Sequence, residues 1–347
     1  MNEISLSQEV RFFGRTTRTE QGVFCNWSGS GFTFSFIGTS VWAVFESFGE
    51  IPDENRVYMG VFVDESPYES ARFPVAVSGG IYTLAENLPA GRHTIRVVRE
   101  TEIYYGFVAL KCLRTDGSPA ACPPPSALRL EFIGDSITCG YGNLSSNANP
   151  EFTTAEENFS DTFAFQTASL LKADYSVVAA SGNGFAHHYG CETNNLIPEL
   201  YRYTDKLFAN ARGTEPEAWD FSHDPRDAVV VKLGENDRQF CSGADLPAGE
   251  RTAEVLALRR KDFCRAAQAF LKEISAKRPG TPIVLIYNAD MLLKPELCEA
   301  AASVPAVHTL EILPKREYEG VGANGHFSRF THARVAALLE KTLRSIL

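Results

Sequence analysis

The chain has 347 residues, 44% hydrophobic and 22% charged, and this ordinary globular composition excludes an intrinsically disordered or fibrous protein. Its 43 acidic and 33 basic residues give a net charge of −10, which repels phosphate backbones and argues against nucleic acid as a partner. No apolar run reaches the ~18 residues that a membrane helix needs. We expect no membrane partner and, because the first residues lack the pattern of a secretory signal, a cytoplasmic location unless a signal peptide was removed.

The first 120 residues are predicted to form an all-β domain. Short runs of alternating or β-branched residues, separated by turn-forming clusters, are typical of a β-sandwich. The predicted strands lie at residues 31–36, 41–45, 57–63 and 93–99. A proline-rich connector follows, which is stiff and extended by composition. We place the N-terminal domain at residues 1–118, the linker at 119–127 and a second domain at 128–347.

In the second domain, strands alternate with helices. Segments rich in apolar residues predict strands at residues 128–133, 175–180, 228–233 and 282–287, and apolar residues at helical spacing predict helices at 160–171, 250–277 and 331–347. This alternation implies an α/β domain with a parallel sheet and helices on both of its faces. Ligands of such sheets bind at the carboxyl ends of the strands.

Three short polar loops directly follow predicted strands and therefore meet at one edge of the sheet. They are Gly134-Asp-Ser136, Ser181-Gly-Asn-Gly184 and Gly234-Glu-Asn-Asp237. A fourth, glycine-rich loop carries His326 just before the last helix. Each loop taken singly has an ordinary explanation as a turn or a helix cap. The four together, in this order and at these strand ends, are much harder to explain as turns alone.

This constellation resembles the SGNH (GDSL) hydrolase superfamily. The matching residues are Ser136 as nucleophile, His326 as base, and Gly182 and Asn236 as donors of the oxyanion hole. The run from Gly134 to Gly142 is similar to carbohydrate esterase family 2. So are Phe12-Phe-Gly-Arg15, Leu88-Pro-Ala-Gly-Arg-His93 and Trp219-Asp-Phe-Ser222, so that the resemblance covers nearly the whole chain.

The resemblance implies a small N-terminal β jelly roll followed by a flavodoxin-like SGNH domain. It also implies a serine esterase that removes O-acetyl groups from acetylated plant-hemicellulose oligosaccharides, derived from mannan or xylan, through an acetyl-enzyme. The backbone N–H groups of Ser136 and Gly182 and the side-chain amide of Asn236 would bind the oxyanion. No metal or organic cofactor is expected. The jelly roll either binds sugar or forms one wall of the cleft, and we favour the wall.

One position departs from the pattern of the superfamily. Many relatives have an aspartate two or three residues before the histidine, where this chain has Asn324 and Ala323. A backbone carbonyl would then hold the imidazole of His326, or Asn324 would do so through its amide oxygen.

Several further residues near the loops are candidates with competing explanations. Trp219, Tyr141, His188 and Asp237 are candidate substrate-binding residues. An aromatic ring such as Trp219 packs in a core as readily as on a sugar, and Asp237 is more typical of a cap. The pair His187-His188 is expected to line the acceptor side of the cleft or to lie on the surface, in preference to a metal site, and His332 is expected to be exposed.

Two other functions stay open at this stage. One is an SGNH lipase or thioesterase acting on other acyl esters, which would need a wide apolar groove. The other is a non-catalytic carbohydrate-binding protein. The missing aspartate near His326 is an argument for it. The joint presence of four residues that binding alone does not need is an argument against it: Ser136, Gly182, Asn236 and His326. The eight scattered cysteines form no Cys-x-x-Cys pair, which predicts reduced thiols and no zinc site; only proximity suggests a Cys112–Cys122 disulfide.

Overall fold

Two antiparallel sheets form the N-terminal part of the chain in the computed structural model, which describes residues 1–49, 55–148 and 152–347. The strands are β1 (Asn2–Ile4), β2 (Val10–Phe13), β3 (Thr17–Thr19), β4 (Gly22–Phe24), β5 (Gly31–Gly38), β6 (Val41–Phe48), β7 (Tyr58–Val63), β8 (Ala71–Pro74), β9 (Gly80–Ala85), β10 (Gly91–Arg99), β11 (Phe107–Thr115) and β12 (Ser118–Ala120). One sheet has the order β3-β4-β11-β6-β9, with β1 also on β11; the other has the order β12-β5-β10-β7-β8, with β2 also on β5.

The core of this part lies between the two sheets. Alternate residues of β5, namely Phe32, Phe34 and Phe36, share one buried cluster with Val41 and Phe45 of the facing sheet. Period-two alternation puts such residues on one face of each strand, and the two apolar faces then pack against each other. The predicted β-sandwich is therefore confirmed.

A parallel five-stranded sheet forms the second part. Its strands are β13 (Arg129–Gly134), β14 (Asp174–Ala179), β15 (Ala228–Lys232), β16 (Ile283–Asn288) and β17 (Val307–Ile312). They lie in the order β14-β13-β15-β16-β17, which is the flavodoxin-like arrangement. The predicted α/β class is confirmed.

Helices cover both faces of this sheet. They are α1 (Ser136–Cys139), α2 (Phe163–Leu171), α3 (Ile197–Leu200), α4 (Lys206–Ala211), α5 (Arg238–Cys241), α6 (Ala253–Lys277), α7 (Lys294–Ala302) and α8 (Arg329–Ile346). Short 3-10 turns lie at Ile103–Tyr105, Thr154–Glu156, Phe159–Asp161, Ala248–Glu250, Glu317–Glu319 and Ala323–Gly325. Helices α3, α6 and α7 pack on one face, and α2 and α8 on the other. No helix within the described ranges is long and apolar enough to cross a membrane.

The structure differs from the sequence predictions at a few places. Pro119 and Ala120, in the predicted linker, still pair with β5 as part of β12. The expected exposure of His332 is wrong, because this residue is 1% exposed and its Nδ1 accepts the Phe163 N–H at 3.1 Å. Each of the eight cysteines, all of which lie in the described residues, is a free thiol, so Cys112 and Cys122 are not bonded.

The sandwich is anchored to the α/β part by buried polar contacts. The Arg15 guanidinium donates to the Tyr201 and Tyr203 carbonyls at 2.7 and 2.6 Å. The Trp27 indole N–H donates to the Thr204 carbonyl at 2.9 Å, and its ring joins the apolar cluster on one face of the parallel sheet. Since buried polar groups with good partners favour one arrangement, these contacts fix the sandwich against the second part.

Candidate active site

Ser136 lies at the carboxyl edge of the parallel sheet, where β13 turns sharply into α1. Asp135 caps this helix, since its carboxylate accepts the Ile137 N–H at 3.1 Å. A Cβ on Gly134 would stand 2.0 Å from Thr138 Oγ1 and 2.7 Å from the Lys232 carbonyl oxygen. Only glycine fits there, and the tight turn that it permits brings the serine hydroxyl to the sheet edge.

His326 is within hydrogen-bond distance of the serine. Its Nε2 lies 2.8 Å from Ser136 Oγ, and its Nδ1 lies 3.0 Å from the Ala323 carbonyl oxygen. A carbonyl only accepts hydrogen bonds, so Nδ1 carries the proton and Nε2 is free to accept one from the serine. This is the tautomer that a general base for Ser136 requires.

Asn324 does not orient the histidine through its side chain. Its Nδ2 donates to Tyr141 Oη at 3.1 Å, and its backbone has a positive φ of 50°. This turn leaves the Ala323 carbonyl facing the imidazole. Of the two alternatives for the missing aspartate, the structure has the backbone carbonyl, and the assignment to the Asn324 amide oxygen is corrected.

Tyr141 packs directly on the histidine. Its ring centroid is 4.6 Å from that of His326, and the same ring also stacks on Phe152, at 3.8 Å between centroids. The tyrosine thus covers the imidazole and helps to bury it. Burial, and to a smaller extent the positive charge of Lys315, lower the pKa of His326 below its ordinary value of 6.5.

Replacing Lys315 by methionine is expected to move the acid limb of the kcat/KM profile to higher pH. His326 acts as base only when neutral, so activity falls as pH falls through its pKa, which lies below 6.5 in the wild type. Removal of the Lys315 charge raises that pKa, by roughly 0.5 pH unit for a neighbouring charge near the surface. Rates measured from pH 4.5 to 8.5 test this. Lys315→Arg keeps the charge and should keep the limb in place, and an unmoved limb in both variants would refute it.

The other two predicted oxyanion donors line the same edge of the sheet. Gly182 has a φ of +74°, and the space where its Cβ would stand is open. It borders a shallow cavity of about 350 Å³ together with His188 and Tyr189. Asn236 and His326 border an adjoining cavity of about 1100 Å³, which also includes Tyr189. The two cavities share Tyr189 and are together called the cleft here; Gly182 and Asn236 border it, and His326, which also borders it, contacts Ser136.

Asp237 lies beneath the cleft and not on its surface. Its buried carboxylate accepts the backbone N–H groups of Phe185, Ala186 and His187 at 2.8–2.9 Å. Burial nevertheless raises the pKa of this carboxyl to about 7. The assignment of Asp237 to substrate binding is therefore corrected: it ties the second loop to the third.

Trp219 lies at the opposite end of the sheet. Its ring packs on the guanidinium of Arg15 at 4.8 Å, beside Phe221 and Arg278. The segment that carries it leads into the amino end of β15, whereas the cleft lies at the carboxyl ends. Its assignment to the substrate site is wrong for this reason.

His188 borders the cleft. Its Nε2 lies 2.5 Å from the Asn194 carbonyl oxygen. The neighbouring His187 stacks on Phe240 instead, at 3.6 Å between ring centroids. Throughout residues 1–49, 55–148 and 152–347, no group of three or more histidine, cysteine, aspartate or glutamate side chains is placed to hold a metal ion.

Two residues of the sandwich reach the second loop, and the sequence analysis did not identify them. The Ser181 N–H donates to Glu102 Oε2 at 2.6 Å, and Asn183 Nδ2 donates to Tyr104 Oη at 2.8 Å. These partners are 79 residues apart in the chain. No local sequence pattern could have linked them.

Comparison with known proteins agrees with this architecture. A family model described as carbohydrate esterase 2 N-terminal matches residues 12–125. The cellulase/esterase CelE of Acetivibrio thermocellus is 34% identical over 219 residues, or 62% of this chain, which spans only 25% of CelE. An acetylxylan esterase / glucomannan deacetylase of Cellvibrio japonicus is 26% identical over 333 residues, covering 90% of this chain and 83% of that protein.

Solved structures resemble the chain over nearly its full length. A family two carbohydrate esterase from Clostridium thermocellum, in complex with cellohexaose, has a TM-score of 0.82 at 25% identity. The match covers 97% of this chain and 98% of the esterase chain. An acetyl xylan esterase from Butyrivibrio proteoclasticus has a TM-score of 0.86 at 21% identity, with coverages of 99% and 98%, and shows the fold alone. The predicted resemblance to carbohydrate esterase family 2 is confirmed by the match of the N-terminal domain and by the fold of the whole chain.

Proposed function

We propose that this protein is a serine esterase that removes O-acetyl groups from carbohydrate. The observation that carries the proposal is the pair of contacts on His326, 2.8 Å from Nε2 to Ser136 Oγ and 3.0 Å from Nδ1 to the Ala323 carbonyl oxygen. A hydroxyl is a weak nucleophile until a base takes its proton, and this pair supplies a base in the right tautomer.

The reaction has two halves. In the first, His326 Nε2 takes the proton of Ser136 as Oγ bonds to the acetyl carbonyl carbon, and the carbonyl oxygen becomes an oxyanion. The N–H groups of Ser136 and Gly182 and the Asn236 amide bind this charge. The tetrahedral intermediate then expels the sugar oxygen, which takes the proton from His326.

The second half repeats these steps with water in place of the sugar. His326 takes a proton from water, whose oxygen attacks the acetyl-enzyme, and a second oxyanion forms in the same site. Collapse breaks the bond to Ser136 Oγ, which regains its proton from His326, and acetic acid leaves and loses its own proton to water to give acetate.

For the substrate, we propose acetylated oligosaccharides derived from mannan or xylan. The larger cavity is bordered by polar and charged side chains, including Glu235, Arg238, Gln239 and Asp290. Such a polar surface can form hydrogen bonds with sugar hydroxyls, whereas a lipid chain needs an apolar groove. One relative is an acetylxylan esterase / glucomannan deacetylase, which agrees with this substrate class.

The cytoplasmic location stays a prediction, which cell fractionation tests.

The proposal is tested by measuring acetate released from acetylated manno- and xylo-oligosaccharides, with a long-chain ester in parallel. We expect release from at least one oligosaccharide, none from the long-chain ester, and loss of release in Ser136→Ala. A preferred long-chain ester would move the assignment to a lipase or thioesterase. Binding of the oligosaccharides without any release would leave a carbohydrate-binding protein.

A further inference from the structure

The loop between β10 and β11 extends from the sandwich into the α/β part. Ile103, at its centre, is 1% exposed and packs in the apolar cluster on one face of the parallel sheet. Buried Arg99 braces the loop from within: its guanidinium donates to the carbonyls of Thr101, Glu102 and Gly106 at 2.7–2.8 Å. A loop anchored by its apolar centre and by a buried cation holds its side chains in fixed positions.

Two side chains of this loop hold the residues on either side of Gly182. Glu102 is fully buried, and its Oε2 accepts the Ser181 N–H at 2.6 Å. Burial raises the pKa of Glu102 to about 6, so at neutral pH the acceptor is a carboxylate. Tyr104 Oη accepts a hydrogen bond from Asn183 Nδ2 at 2.8 Å.

Asn183 passes this constraint to the third loop. Its carbonyl oxygen accepts one N–H of the Asn236 amide at 2.7 Å. An amide nitrogen has two N–H groups, so this bond fixes the plane of the Asn236 side chain and leaves its second N–H free to donate to a substrate oxyanion. The hydrogen-bonded chain thus runs from Tyr104 through Asn183 to Asn236.

We infer that Glu102 and Tyr104 of the sandwich are positioning residues for the oxyanion hole, acting on Gly182 and Asn236 through the backbone and side chain of the second loop. This inference rests on the proposed hydrolytic function. The N-terminal sandwich would then help to position the oxyanion donors, in addition to forming one wall of the cleft. An oxyanion hole stabilises the transition state only when its donors are held in place before the charge develops.

The test is Tyr104→Phe in two backgrounds, wild type and Asn183→Ala. The phenylalanine keeps the ring and removes only the oxygen that holds Asn183. In the wild type we expect kcat on an acetyl ester to fall on the order of tenfold, less than the loss of a whole donor, with unchanged KM. In Asn183→Ala we expect no further fall, because residues that act through one another are not additive. Tyr68→Phe, a change in a tyrosine that is 78% exposed on the sandwich, is the matched control and should leave kcat unchanged.

A second readout separates positioning from sugar binding and from stability. An organophosphonate labels an activated serine and its tetrahedral phosphorus group occupies the oxyanion hole, but it needs no sugar site. We expect the labelling rate of Ser136 to fall in parallel with kcat in Tyr104→Phe, with the melting temperature within a few degrees of the wild type. Glu102→Leu, which removes the acceptor, should lower labelling, and Glu102→Gln, which keeps an acceptor oxygen, should restore most of it.

Three outcomes would overturn the inference. The first is a rise in KM alone in Tyr104→Phe, which would make the 46% exposed Tyr104 a sugar contact. The second is an equal fall of kcat in the wild-type and Asn183→Ala backgrounds. The third is a lower melting temperature with a normal labelling rate of the folded fraction. If the wild type releases no acetate from any oligosaccharide but the labelling rates follow the expected order, the proposed function fails and the positioning role stands. A wild type that cannot be labelled refutes both.

Discussion

Replacing His326 by alanine is expected to lower kcat/KM on an acetyl ester by a factor on the order of 10⁴–10⁶, as loss of the base does in serine hydrolases. The hydrogen bond of 2.8 Å to Ser136 Oγ is the reason, because the described residues place no other imidazole or carboxylate at hydrogen-bond distance from that hydroxyl. Steady-state rates on an acetylated oligosaccharide and on a small activated acetyl ester measure the effect.

His308→Ala is the matched control, since this histidine is exposed on strand β17, away from the cleft. It should keep the wild-type rate, and both variants should unfold at wild-type temperatures. A His326→Ala enzyme within tenfold of the wild type would mean that the pair does not carry the reaction. The protein would then be better explained as a binder that keeps the esterase fold.

The Ala323 carbonyl takes the place of the missing aspartate as the hydrogen-bond acceptor of His326 Nδ1. An aspartate stabilises the imidazolium by charge as well as by orientation. The carbonyl orients the ring at 3.0 Å but carries no full charge, and the nearby Lys315 disfavours the imidazolium further. The pKa of His326 is therefore lowered, so that the imidazole remains neutral in mildly acidic solution. The same imidazole is a weaker base toward Ser136.

Periodic apolar patterns predicted most of the architecture. β5 and β6 alternate in the sequence and share one core, and the buried strand β15 is an apolar run up to its last residue, Lys232. β17 was missed because it is an edge strand whose side chains are mostly exposed or half-buried, so its sequence has no apolar run. The burial of His332 was not predicted because it depends on packing against Phe163, which is distant in the chain.

The candidate site was predictable where it follows strand ends and not where it depends on long-range contacts. The loops of Ser136 and Asn236 directly follow β13 and β15, so sheet geometry brings them together. The same geometry argues against Trp219, since a residue before a strand lies at the amino edge. No such rule predicts the position of Glu102, because its hydrogen bond with Ser181 depends on how the sandwich packs against the α/β part.

Removal of the Asn236 amide should cost more than any other change outside the dyad. We expect kcat to fall about 10²–10³-fold in Asn236→Ala, with little change in KM, because a neutral carbonyl needs this donor less than an oxyanion does. Asn236→Asp is nearly isosteric but has no N–H and adds negative charge, so its kcat should be lower still. Asn210→Ala, on the exposed end of α4, is the control that should change nothing. If Asn236→Asp kept the wild-type kcat, the oxyanion would have to be bound by backbone N–H groups alone, and the hydrogen bond from Asn236 to the Asn183 carbonyl would serve only to join the two loops.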